Sequence, residues 1–453
     1  MRFSVTNVSR LVVWAIAITV LSSSVLAQSS PQKLDPDTAK RVEDMLRKGY
    51  LEVQKNYFDK DYKGVNWDAD YAQYDAKMKQ ITSLAQGLSL VAGLMMTLDD
   101  SHTFFMPPSR PVRLEYGFRL LMIGDRAFVV HVRPDTDAEK KVHVGDEIVA
   151  YNRFVVNRDS LWKMKYYYGQ LSPLQISDLV LKSPDGQQRD EKIETKVQEL
   201  SGNLNYMTNE GWKIIREQEN LQHQFRERHV EMDDVMIWKM PVFNIDDYQV
   251  DHLFGIARKH KALILDLRDN PGGAAPTLQR MVGNIFDHDV KIADRVGRST
   301  ELKPMVAQSR AKDVYAGKIV VLIDSGSASA AELLARVMQL ENRGTVVGDR
   351  SAGAVMEARR YNESEAGNTG SIFYGFSITE ANLIMKDGKS LEHTGVVPDE
   401  IILPTGRDLA DGKDPALVRA AQLVGLTLDP IQAGKLFPFE WLPIGTELAA
   451  SGE

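Results

Sequence analysis

The chain has 453 residues, 43% of them hydrophobic and 26% charged, with a formal net charge of −7 and no cysteine. That length allows two or three domains with ample core, and the composition is ordinary for a soluble globular protein. The acidic balance argues against nucleic acid or an anionic membrane surface as the main partner, and the lack of cysteine excludes a disulfide framework, a cysteine nucleophile and thiolate metal sites.

Arg2 and Arg10 precede the apolar run "LVVWAIAITVL" (11–21), and Val25 and Ala27 then offer a small-residue cleavage site. Residues 1–27 therefore read as a secretory signal cut after Ala27, too short for a comfortable membrane span. The expected location is periplasmic or secreted, with a retained anchor as the alternative. Residues 28–37 read as a linker. Over 38–106 the patterns "DTAKRVEDMLRKGYLEVQKNY" and "SLAQGLSLVAGLMMTL" predict a small helical domain, broken by "PPSRPV" (107–112). Short β-type runs such as "RAFVVHVRP" and "DEIVAYNRFVV", with "SPDGQQ" as a hairpin-like turn, fill 114–197. The polar stretch 218–234 reads as a surface connection. Within 205–405 strand and helix patterns alternate, from "VMIWKMPVF" through "ALILDLR" and "KIVVLID" to "GTVVGD", which argues an α/β domain. A short helix, "PALVRAAQLVGL", and an irregular tail occupy 406–453.

Chemistry concentrates in a few turns. "SGSASAAELLARVMQ" (325–339) places Ser325, Ser327 and Ser329 between a buried strand and an amphipathic helix. Ser329 to Glu332 fits a capping box, yet a strand-to-helix turn also projects a nucleophile well, and local pattern leaves both open. "ALILDLRDNPGGAA" ends a strand in Gly272 and Gly273, whose backbone N–H groups could approach a ligand. "LDDSHTFF" carries His102, and "KSLEHTGVVPDEI" carries Glu392 beside His393. Metal-ligand spacing, a P-loop and a dinucleotide fingerprint are all missing, so neither metal nor cofactor is expected.

Taken in order, "DSHT", "HVGDEIVAYNRFVV", "DLRDNPGG", "VLIDSGSASAAE", "VVGDRSAG" and "LEHTGVVPDE" resemble the S41 serine peptidases, which include the carboxyl-terminal processing and tricorn-type proteases. The resemblance implies a clpP/crotonase-like α/β peptidase core preceded by the helical domain and an inserted β-rich PDZ-like domain. In that domain Gly117 and Phe118 would offer N–H groups to a peptide C-terminus. It also implies Ser329 as nucleophile, with Ser327 its nearest rival, and an oxyanion hole from Ala330 and Gly272 or Gly273. Processing proteases use a lysine where this chain has Ala354. The tricorn-type branch uses a histidine and a glutamate, matching His102 and Glu392. The implied activity is endopeptidase cleavage of proteins or peptides through a Ser-His-Glu triad. The alternatives are a displaced lysine base, Lys386 or Lys389, and a peptide-binding protein without turnover.

Overall fold

A computed structural model describes residues 34–110, 112–199, 228–367 and 370–441. The expected signal 1–27 and much of the segment between the two larger units lie outside these residues. The chain is mixed α/β.

The first unit is helical. Pro36–Asn56 starts where the Asp35 carboxylate accepts from the N–H groups of Asp37 and Thr38, and it ends at Tyr57. Its buried residues Val42, Met45, Leu46, Gly49 and Val53 recur at helical spacing and form one stripe. That stripe packs on Leu88, Val91, Leu94 and Met95 of the helix Leu84–Met96. Between them runs a helix the sequence patterns missed, Trp67–Met78, which buries only its two end residues and so carries no apolar stripe.

Phe105, Tyr374, Phe376 and Ile378 complete this core, although three of them lie far along the chain. They come together because the strand Phe104–Met106 pairs antiparallel with Gly370–Ile384, Phe104 facing Ser377. Gly370–Ile384 also pairs with Met356–Gly367 as a long hairpin, and with Val290–Gly297. The helical unit is thereby stitched to the C-terminal half of the chain, which carries residue 102 toward residue 392.

Residues 112–199 form a β-rich module. Val112–Glu115 pairs with Lys196–Glu199, so the chain enters and leaves side by side. The module's sheet runs in the order Phe118–Ile123, Arg126–Val132, Glu147–Tyr151, Ile176–Lys182, Gln188–Glu194. Phe118–Ile123 is an edge strand, and the helix Arg158–Tyr166 is a second element of the same module.

The largest core surrounds a six-stranded sheet in the order Arg228–Met232, Val235–Lys239, Ala262–Asp266, Lys318–Ile323, Thr345–Gly348, Glu400–Ile401. All neighbours are parallel except the first pair. Alternate residues face opposite sides. Met236, Trp238, Leu263, Leu265, Val321 and Ile323 meet the helices Asp247–Ala257, Ala275–Ile285 and Ala330–Leu340. Val235, Ile237, Ile264, Val320 and Leu322 meet Pro415–Leu423 and Pro430–Lys435. A parallel sheet covered on both faces explains why its strands read as continuous apolar runs. The stretch 218–234 needs a correction: Arg228–Met232 is an edge strand, not only a surface connection, and its outer rim tolerates the polar residues that disguised it.

Candidate active site

The strand Lys318–Ile323 ends in a turn whose three serines have different surroundings. Ser325 Oγ donates to Met122 O in the β-rich module at 2.7 Å. Ser327 is fully buried; its hydroxyl donates to Leu267 O at 2.8 Å and accepts from the Asp324 N–H at 2.9 Å. Ser329 is half-buried and caps the helix Ala330–Leu340 with φ 52, a conformation rare outside glycine. Such a residue persists only where neighbours hold it. The Ser329 N–H donates to Ala354 O and Glu332 Oε2, each at 2.9 Å, and the Ala328 N–H donates to Asn270 O at 2.9 Å. Glu332 therefore does reach back to the cap, as the capping pattern requires, but its role is wider. Its buried carboxylate also accepts from Ser351 Oγ and the Gly353 and Ala354 N–H groups, at 2.6, 2.8 and 3.0 Å, fixing the loop beside Ser329. Burial pushes its carboxyl up to about 7, against the pull of those donors.

Asn270 to Gly273 follow the strand Ala262–Asp266 and lie against the serine turn. A Cβ at Gly272, where φ is +94, would sit 2.7 Å from Ser329 Cβ and 2.9 Å from Ala330 N. At Gly273 it would sit 2.4 Å from Phe243 O. Only glycine fits either place. The two differ in their N–H groups. Gly272 N–H donates to Asn270 Oδ1 at 2.8 Å, which narrows the expected oxyanion pair to Gly273 and Ala330, whose N–H groups have no acceptor among the described residues. Gly272→Ala is expected to lower kcat/KM at least about 100-fold, because displacement of a reacting group by ~1 Å has that cost. Steady-state hydrolysis measures this, and full activity would contradict the packing.

His102 follows the helix Leu84–Met96 on a turn organised by Asp100. That buried carboxylate accepts from the His102 and Thr103 N–H groups, Thr379 Oγ1 and Tyr57 OH. Glu392 does not touch the imidazole. It accepts from the Ser101 N–H and the Val355 N–H at 2.8 Å each, and from Ser101 Oγ at 2.8 Å. Ser101 Oγ in turn lies 2.7 Å from His102 Nδ1. Since the ionised carboxylate only accepts, the hydroxyl donates to Glu392 and accepts from Nδ1–H, leaving Nε2 with a free lone pair. Burial lowers the His102 pKa below the usual histidine value, while Glu392 and then Asp100 oppose it. Burial thus favours the neutral ring, and the Ser101 contact favours the Nδ1–H tautomer.

Ser329 and Glu392 are joined through consecutive residues, Ser329 N–H to Ala354 O and Val355 N–H to Glu392 Oε2. Among the described residues no hydrogen bond links Ser329 with His102. Catalytic hydrogen bonds often tighten only with substrate present. Ser101, which bridges His102 and Glu392, is a residue that sequence reasoning missed. Neighbouring His393 directs Nε2 at Asp99 O, 3.0 Å away, and is half-exposed. The lysine alternatives lie elsewhere. Lys386 pairs at 2.9 Å with Glu341, at the C-terminal end of the helix that Ser329 starts, ~16 Å along its axis. Lys389 shares the turn of Asp387, which pairs with Arg336 on that same helix.

In the β-rich module Phe118 lines a groove of ≈ 210 Å³ between the edge strand Phe118–Ile123 and the helix Arg158–Tyr166. Gly117 requires correction as a donor: its N–H already donates to Glu115 Oε1 at 3.0 Å. The module also reaches the turns after the strands Ala262–Asp266 and Thr345–Gly348. Arg119 pairs with Asp269 at 2.9 Å, and Arg158 pairs with Asp349 at 2.7 Å.

The model for peptidase family S41 matches residues 235–402, and that for the tricorn protease C1 domain matches 38–86. The chain is 23% identical to a chloroplastic C-terminal processing peptidase of Tetradesmus obliquus, over 77% of this chain and 74% of the relative. It is 27% identical to a probable CtpA-like serine protease of Staphylococcus haemolyticus, over 40% of this chain. To a carboxyl-terminal-processing protease of Synechocystis sp. it is 28% identical, over 34% of this chain. The matches span only 39% and 34% of the last two relatives. Among solved structures, mature CPAF complexed with lactacystin is similar with a TM-score of 0.61 at 15% identity, over 82% of this chain and 95% of that one. The photosystem II D1 C-terminal processing protease gives 0.50 at 19% identity, over 87% and 99%. At such identities the likeness concerns the fold.

Proposed function

We propose that the chain, whose residues 235–402 match the model for peptidase family S41, is a serine endopeptidase that cleaves proteins or peptides through Ser329, His102 and Glu392, with the Ser101 hydroxyl joining the last two. The observation that carries this reading is the hydrogen-bonded series from His102 Nδ1 through Ser101 Oγ to Glu392. It orients a neutral imidazole, and a peptide-binding protein without turnover has no need of it.

His102 Nε2 takes the proton of Ser329 Oγ as the oxygen attacks the scissile carbonyl. The N–H groups of Gly273 and Ala330 receive the developing oxyanion, each donor worth about 3–4 kcal/mol in such a hole. The imidazolium is stabilised by the charge of Glu392 relayed through Ser101, and its proton passes to the leaving amine. Water, deprotonated by the same nitrogen, then releases the acyl group and restores Ser329. Ala354 in place of a lysine, with Lys386 held by Glu341, favours histidine as the base.

The sheet 228–401 with its flanking helices fits the clpP/crotonase-like core that the resemblance implies. The groove beside Phe118 supports reading 112–199 as a PDZ-like, substrate-gathering module. The leader supports a periplasmic or secreted site of action; among the described residues no helix is long and apolar enough to cross a membrane. The test is fluorophosphonate labelling of the chain from residue 28 onward, with the adduct mapped by mass spectrometry. A single adduct on Ser329, dependent on His102, is expected. No adduct, with or without added peptide, would favour the non-catalytic reading.

A further inference from the structure

The groove of the β-rich module has a polarity that its peptide-binding reading alone does not explain. Its walls are largely apolar, with Phe118 and Leu120 on one side and Leu161, Met164 and Tyr168 on the other. The strand Phe118–Ile123 lies at the edge of its sheet, so an extended segment can add to it by main-chain hydrogen bonds. Three charged features border the groove, and two are already committed. The Arg119 guanidinium is held by both oxygens of Asp269, at 2.9 and 3.1 Å. At the Gly117 end the chain supplies its own carboxylate: Glu115 takes the Gly117 N–H through Oε1, and Arg133 Nη1 at 2.7 Å through Oε2.

Lys165 is the third. It projects from the helix Arg158–Tyr166 into the groove, solvent-exposed yet walled by protein, and its ammonium has one long hydrogen bond, 3.4 Å, to the neutral Leu120 carbonyl. The protein around it and the Arg119 charge lower its pKa, Asp269 and Asp324 pulling the other way. Asp269 is the partner of Arg119, and Asp324 is buried, receiving the N–H groups of Asp269 and Gly326. A cation on an apolar wall whose hydrogen bond among the described residues goes to a neutral carbonyl is complementary to a carboxylate, and such a pair is stronger there than on an open surface.

Building on the reading of 112–199 as a peptide-binding module, we propose that the groove selects an extended peptide segment bearing an acidic side chain, which pairs with Lys165. The carboxylate is a side chain rather than a chain terminus, because the Gly117 N–H that would hold a terminus is already taken by Glu115.

The test uses the chain with Ser329→Ala, so that ligand is bound and not cut, and fluorescein-labelled peptide pools read by anisotropy. The pools are C-amidated nonapeptides of Ala, Leu, Val and Ser with Glu, Gln or Lys at the centre, and a Gln pool with a free C-terminus. The Glu pool is expected to bind about tenfold more tightly than the amidated Gln pool, the size of one charge-assisted hydrogen bond. That advantage is expected to shrink as salt rises from about 50 to about 300 mM. Lys165→Gln should erase the preference, and Lys165→Glu should transfer it to the Lys pool. Equal binding of amidated Glu and Gln pools would overturn the acidic preference and leave the peptide groove standing. Tight binding by the free-terminus pool alone would assign the carboxylate to the peptide end, and the proposal would fall. Binding of no pool would remove the groove reading together with it.

Discussion

Ser329→Ala is expected to reduce kcat for a quenched fluorescent peptide by about 10⁴-fold or more, the usual outcome when a serine nucleophile is removed from an intact oxyanion site. Its unfolding midpoint in urea should barely move, since Ser329 is half-buried and its backbone bonds to Ala354 and Glu332 survive the change. Ser327→Ala should behave in the opposite manner. The Ser327 hydroxyl is the acceptor for the Asp324 N–H and the donor to Leu267 O in a fully buried turn. Its loss leaves both groups unpaired, at about 1–3 kcal/mol each, while the catalytic residues keep their places. The expected result is measurable turnover in a protein destabilised by ~2–6 kcal/mol. Steady-state kinetics paired with urea unfolding separates the two. If Ser327→Ala abolished turnover in a normally stable protein while Ser329→Ala remained active, the nucleophile would have been misassigned.

This contrast also marks what the sequence could say about the turn. Small residues after the apolar run 318–324 announce a strand-to-helix turn, and alternation of strand and helix patterns announces the parallel sheet. Neither distinguishes Ser327 from Ser329, because the difference lies in the carbonyl of Leu267, on another strand's end. Ser101 was hidden for the same reason. Its hydroxyl becomes meaningful only when Glu392 arrives, 291 positions along the chain, carried there by the pairing of Phe104–Met106 with Gly370–Ile384. A serine directly before a candidate base is the signal that could have prompted the question. The Gly272 N–H illustrates the converse: glycine at a strand end marks a close approach correctly, but which N–H remains free depended on where the Asn270 amide turned. Polar edge strands such as Arg228–Met232 stay invisible to periodicity because only half of each backbone is covered.

Ser101→Ala is expected to lower kcat/KM by about 10²–10⁴-fold with little change in KM, since it removes the hydrogen-bonded link that, among the described residues, joins the imidazole to Glu392, and frees the wrong tautomer. Ser101→Thr, which keeps a hydroxyl at that place, should restore most of the rate; a role confined to packing would not show that rescue. His102→Ala should be worse, at roughly 10⁴-fold or more. The pH profile carries the sign. Base catalysis needs neutral His102, and burial holds its pKa below the unperturbed value of about 6.5, so parent activity should rise through an ionisation on the acid side of that value. A depressed histidine also binds fewer protons folded than unfolded. Its stabilising contribution is therefore full above about pH 6.5 and is lost as pH falls toward its folded pKa. Glu332 has the opposite sign, its raised pKa making the fold bind the extra proton between the ordinary carboxylate range and about 7. Protonation weakens the carboxylate as acceptor for the Gly353 and Ala354 N–H groups, which loosens residues 351–354 and adds a second acid-side loss of rate centred near 7. The residual activity of His102→Ala should keep that step alone, and Glu332→Gln should remove it. An activity that first appears near pH 9 in the parent chain would put a lysine, not His102, in the role of general base.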